Sequence, residues 1–144
     1  MDKKSICFCG LYCENCIVRA KINPAAKVLY DEMRTAGFEP IINYIPGGAG
    51  FWPFLKETAE GRTFTTCQEG CGIPDCKIRA CAREKSIELC ALCESYPCVH
   101  FADFLKRIPL LEKDNLILRE KGFEAWSKLQ DERRAKGFTY QDKG

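Results

Sequence analysis

Cysteine is the residue type in this sequence with the most chemistry to offer: 11 of the 144 residues, several times ordinary usage. Cys9-Gly10-Leu11-Tyr12-Cys13-Glu14-Asn15-Cys16 reads C-x3-C-x2-C. Further along come Cys67 and Cys71, the latter between Gly70 and Gly72, then Cys76 and Cys81, then the pair Cys90-Ala91-Leu92-Cys93, then Cys98 after Pro97. Such short spacings let successive sulfurs turn toward one ion, and glycine permits the tight backbone this requires. Cys9, Cys13, Cys16, Cys67, Cys71, Cys76, Cys81, Cys90, Cys93 and Cys98 are therefore candidate metal ligands. Ten thiols serve two four-cysteine sites with two to spare, so about two zinc ions per chain are expected. One site is expected to use the N-terminal cluster and take a fourth ligand from the later group, stapling the chain.

The remaining details follow from geometry. Cys76 and Cys81 would lie roughly 140° apart on a continuous helix, so they serve different sites or Cys76 precedes the first turn. A helix thiol such as Cys81 can also pack simply as a small apolar side chain. Cys7, in Cys7-Phe8-Cys9, is expected to point away from Cys9 as in a strand and is set aside. His100 is the single histidine, two residues beyond Cys98; both a structural role and ligation stay open for it. Lys77, Arg79, Arg83 and Lys85 lie among the thiols, either as a solvated helix face or as donors that offset thiolate charge. Arg79, flanked by cysteines on both sides, is the best candidate for the second role.

Composition narrows the setting. An odd cysteine count fits a closed disulfide set poorly, no apolar segment follows the charged start Met1-Asp2-Lys3-Lys4, and no apolar run approaches the ~20 residues that span a bilayer. A reducing cytoplasm is the expected location, where closely spaced thiols hold metal. The formal net charge is +2, which makes no electrostatic case for nucleic acid or an anionic membrane. Two four-thiolate zinc sites would carry it to about −2. The expected partner is a protein or small molecule of unknown identity.

The elements that must position the thiols are helices. The chain reads as a single domain over 1–144: a cysteine-rich portion at 7–16 and 67–98, a cysteine-free insert at 17–66, and C-terminal helices over 99–136. Asn23-Pro24 reads as a cap and first helical position, with Gly37 as the stop. Ala25, Val28, Leu29 and Met33 trace one face of that helix. Pro74-Asp75 precedes a helix through Cys76–Lys85. Phe101, Phe104, Leu105 and Ile108 repeat at helical spacing until Pro109, and Leu111, Leu118, Phe123, Trp126 and Leu129 suggest two further pieces broken near Gly122. Ile41, Ile42, Tyr44 and Ile45 could form a short strand before the glycine-rich 46–50 loop. For that loop, followed by Phe51 and Trp52, a connector whose aromatics pack into the core is preferred over an interaction surface. The expected fold class is mainly α, with cysteine-rich loops stapled by metal and one short β-hairpin or strand at most.

The order CGLYCENC (9–16), GCG (70–72), CKIRACAREK (76–85) and CxxCxxxPC (90–98) resembles a bacterial and archaeal cysteine-rich domain-of-unknown-function family. The resemblance covers about residues 7–105 and implies a small cytosolic metal-binding protein, presumed to hold zinc, with no assigned reaction. Ser86 stands where the family pattern leads one to expect glycine, and Cys7 is additional. The leading function is thus structural zinc binding. The alternative is a [4Fe–4S] redox or electron-transfer protein, for which the same thiols would serve. The C-x3-C-x2-C spacing also matches the cluster motif of radical S-adenosylmethionine enzymes, but the rest of the chain does not read as the repeated βα units of their barrel. A third reading is a thiol- or metal-dependent enzyme; Cys90 and Cys93 lack the βαβ setting of a thioredoxin-like pair.

Overall fold

In the computed structural model, which describes residues 3–142, five α-helices carry the fold and no strand or sheet forms among the described residues. They are α1 (Asn23–Thr35), α2 (Gly48–Ala59), α3 (Lys77–Glu84), α4 (Val99–Arg107) and α5 (Leu110–Ala135). The chain divides into two compact units, Ile17–Thr65 and the combination of Met1–Cys16 with Thr66–Gly144.

The Ile17–Thr65 unit is an α1–α2 pair around Ile42, Trp52 and Leu55. Tyr30 of α1 packs on Trp52 with ring centroids 4.9 Å apart. Four details here correct the sequence reading. The inward face of α1 is Ala26, Tyr30 and Met33; Val28 and Leu29 are exposed, because the Tyr30–Trp52 contact decides which stripe is covered. Asn23 does not cap a helix start: it continues a π-helical turn over Val18–Ile22, its N–H bonded to the Val18 carbonyl. That wider turn accommodates Pro24, which has no N–H to give and would crowd the carbonyl four residues back. The Ile41–Ile45 stretch is no strand, since residues Ile42–Tyr44 form a 3₁₀ turn; an isolated extended run has nothing to pair with. Finally, the glycine-rich segment is the first turn of α2. Gly48 is required there because a Cβ would meet the Ile42 carbonyl oxygen at 1.9 Å. Trp52 is buried, as expected of a core aromatic, while Phe51 is exposed.

The other unit holds all the cysteines. One core groups Ile6, Tyr12, Leu89, Ala91, Leu118 and Trp126, and a second groups Cys9, Ile78, Phe101 and Leu111. The apolar stripes read along α4 and α5 supply four of these ten residues, Phe101, Leu111, Leu118 and Trp126. Gly122, at φ 80° and ψ 178°, interrupts α5 where the sequence places a break. A buried polar network ties the N-terminal segment to α5. Arg133 clasps Asp114 through two bonds of 2.5 and 2.9 Å, and Gln130 donates to the same carboxylate at 3.0 Å. Asn15 and the Tyr140 hydroxyl both donate to the Gln130 oxygen, and the Tyr12 N–H donates to Tyr140. Asn15 sits between Cys13 and Cys16, so the network fixes the first cysteine loop. Among the described residues no helix is long and apolar enough to cross a membrane.

Candidate metal centre

Three 3₁₀ turns carry Cys13, Cys16, Cys67, Cys90 and Cys93. Cys13–Asn15 and Cys90–Leu92 each open a C-x2-C pair, and in both the second cysteine's N–H closes on the first's carbonyl at 3.0 Å. The flanking backbones match: Cys16 lies at φ −73°, ψ 136° and Cys93 at φ −71°, ψ 138°. Residues three apart eclipse on a 3₁₀ turn, so each turn presents two thiols to one side. The third turn, Cys67–Glu69, is closed by Gly70 at φ 107°. Glu69 there accepts the Thr66 N–H at 2.9 Å.

Backbone contacts place these turns together. An isolated antiparallel bridge pairs Ile6 with Tyr12, and the tight turn inside it bonds the Gly10 N–H to the Cys7 carbonyl at 2.8 Å. This turn folds Cys7 back toward its neighbours rather than away from Cys9, which corrects the strand-like expectation. Its sulfur lies 3.6 Å from that of Cys13 and hydrogen-bonds with Cys67 and Cys9 as well. Gln68 donates to the Lys3 and Ile6 carbonyls at 3.2 and 3.1 Å, bringing the Cys67 turn beside the N-terminal loop. The Cys90 N–H reaches the Phe8 carbonyl at 2.8 Å.

Three arginines hold the turns by their carbonyls. Arg79 is buried and donates to the Cys67, Cys71, Ile73 and Pro74 carbonyls at 3.4, 2.9, 2.7 and 3.0 Å. This agrees with a supporting role, exercised mainly through the backbone. Arg83 donates to Gln68 at 2.7 Å. Arg119 of α5 grips the Ala91 and Cys93 carbonyls at 2.9 and 3.4 Å. Nothing in the sequence pointed to Arg119, nor to Asn115, which donates to the Cys9 carbonyl and the Tyr96 hydroxyl, both at 3.0 Å; their link to the thiols exists only in the fold.

The thiols sort into two groups. Cys7, Cys13, Cys16, Cys67 and Cys71 influence one another. Cys81, Cys90, Cys93 and Cys98 line one small cavity of about 30 Å³, together with Tyr96 and Phe101. Cys9 interacts with both groups. Cys76 is the N-terminal cap of α3, with extended backbone, and so precedes the first turn, one of the two arrangements its spacing allows. It faces a cleft with Cys9, Cys67 and His100. All eleven cysteines are free thiols.

Electrostatics reflect this crowding. Hydrogen bonds with Cys13, Cys67 and Cys9, with burial behind them, push the Cys7 thiol well up. Its proton favours the thiolate of Cys67, which is pulled down to about 6, with the Phe8 backbone and Arg79 also helping. Burial, then the neighbouring thiols Cys9, Cys98, Cys81 and Cys93, push Cys90 up to about 12. Burial also raises Cys71. Metal ligation would relieve this repulsion by replacing shared protons with a cation. Among the described residues, no three Cys, His, Asp or Glu side chains already surround a common ion-binding point. The donor set itself, thiols in preformed paired turns, fits zinc or an iron–sulfur cluster.

Fold and thiol arrangement together define a small, mainly helical cysteine-cluster protein. The chain belongs to the family described as "Protein of unknown function (DUF3795)", which residues 5–103 match. No curated protein and no solved structure is significantly similar to it.

Proposed function

We propose that the protein is a metal-binding module of a reducing compartment such as the cytoplasm, holding two zinc ions in all-thiolate sites that act structurally. The first site draws on Cys13, Cys16, Cys67 and Cys71, with Cys7 as a fifth thiol beside them. The second is Cys81, Cys90, Cys93 and Cys98. The observation that carries this reading is the repetition of one C-x2-C turn at Cys13–Cys16 and Cys90–Cys93, the first beside Cys67 and Cys71 from a distant part of the chain and the second beside Cys81 and Cys98. Four thiolates with no open position give a chemically quiet site, so bound zinc would supply cross-linking and folding energy.

The test is metal content and melting temperature of three variants. Cys93→Ser and Cys71→Ser should each lose one metal and melt earlier, whereas Cys76→Ser should keep both, because serine is a good helix cap and Cys76 lies in neither group. Full metal content in Cys93→Ser, or a loss in Cys76→Ser, would contradict the assignment. Iron with acid-labile sulfide and broad absorption near ~400 nm would replace zinc by the cluster reading at the same residues.

A further inference from the structure

A cleft of about 400 Å³ opens beside the first thiol group, within the range typical of small-molecule sites. Its base is apolar, built by Phe8, Ile78 and Phe104. One wall is a single face of α4: His100, Asp103, Phe104 and Arg107 stand three, four and seven residues along from one another, the spacing that aligns side chains on a helix. The opposite wall is the start of α3, with Cys76 and Lys77.

The charges on the rim do not cancel. Asp103 is paired with Lys106 at 3.1 Å, and the Arg79 guanidinium is fully engaged by backbone carbonyls. Lys77 and Arg107 are exposed and form no ion pair within 4.0 Å among the described residues. Asp75 offsets one of them. An apolar base below a rim of net positive charge and an imidazole is complementary to one kind of small molecule.

The geometry points to this cleft as a binding site for a small organic anion, an aromatic or branched aliphatic body ending in phosphate or carboxylate. The body lies against Phe8, Ile78 and Phe104, and the anionic end meets Lys77, Arg107 and His100. The cations supply attraction and orientation; the apolar base discriminates against inorganic anions. None of these six side chains belongs to either proposed metal site, although Cys67 of the first site also lines the cleft.

His100 makes the test direct, because a single histidine gives a single set of imidazole signals. The protein as purified is titrated to ~10 mM, a range that reveals millimolar binding, with phenyl phosphate, benzoate, phenol and inorganic phosphate in turn. The His100 ring and the Ile78 and Phe104 amides are followed by NMR at fixed pH. Phenyl phosphate or benzoate should shift all three with a saturable curve, at least ~3-fold tighter than phenol or inorganic phosphate. Lys77→Gln together with Arg107→Gln should weaken that binding by ~3-fold or more, with amide spectra elsewhere unchanged. Absence of saturable shifts, equal binding of phenol, or wild-type binding by the double variant would each overturn the proposal. Metal analysis of the same sample reports independently on the thiol sites.

Discussion

At Gly10 the first cysteine loop meets α5 with no room to spare. The residue sits at φ +94°, and a Cβ there would lie 2.0 Å from the Asn115 side-chain oxygen. Asn115 is fully buried and holds the Cys9 carbonyl, so it has little freedom to retreat. Gly10→Ala should therefore cost ~2–4 kcal/mol from strain and clash together, read as a lowered urea midpoint; an unchanged midpoint would show that the loop is not clamped as described. The thiols make a second residue-scale prediction. In the metal-free, reduced protein Cys67 is held near 6 by the Cys7 hydrogen bond first, whereas burial holds Cys90 near 12. A thiolate value depressed on folding stabilises the fold above the unfolded thiol's value, and that contribution fades as pH falls through about 6. Cys90 behaves oppositely: its contribution is complete below the ordinary thiol value and is lost as pH rises through about 12. Iodoacetamide at pH ~7 should thus modify Cys67 well before Cys90, since the thiolate is the nucleophile. Peptide mapping checks the order, and Cys90 reacting first would refute it. The candidate ligands were legible at this scale because a cysteine spacing is visible in one dimension. Arg119 was not: it grips the Ala91 and Cys93 carbonyls from a helix far along the chain, and no local pattern encodes that.

Helices α4 and α5 follow their apolar spacing closely, since local periodicity and tertiary burial agree there. Where the sequence reading failed, the surroundings in the fold outweighed the signal of residue type. Asn23-Pro24 looks like a helix start, yet the chain is already helical and absorbs the proline in a π turn. Gly48-Ala49-Gly50 looks like a loop, yet it forms the first turn of α2, with glycine at its first position because the Ile42 carbonyl leaves no room for a Cβ. Ser86 is the converse case, a departure noticed in sequence that the structure explains. It ends α3 at φ 53°, with the Ile87 N–H returning to the Ala82 carbonyl at 2.9 Å, the hydrogen bond of a Schellman cap. Glycine adopts that conformation without Cβ strain. Ser86→Gly should accordingly stabilise the protein by roughly 0.5–1 kcal/mol. A higher melting temperature with unchanged metal content is the expected result, and destabilisation would mean that the serine side chain contributes something the cap geometry does not reveal.

Taken as a whole, the molecule divides its labour. The Ile17–Thr65 unit has its own aromatic core and no cysteine. The unit formed by Met1–Cys16 and Thr66–Gly144 has two modest apolar cores and every thiol. In that unit short turns crowd mutually repelling thiols together, and guanidinium groups on their carbonyls keep them there. On the proposed reading zinc completes this arrangement, so removing it should unfold the cysteine-bearing unit and leave the α1–α2 pair less affected. The most direct measurement is the metal content of protein purified under reducing conditions, before and after exhaustive chelation, with helicity and melting temperature followed in parallel. The proposal predicts about two zinc ions per chain, released together with a loss of helicity and a fall in melting temperature of at least ~10 °C. Protein that carries no metal, or that melts identically once stripped, would contradict it.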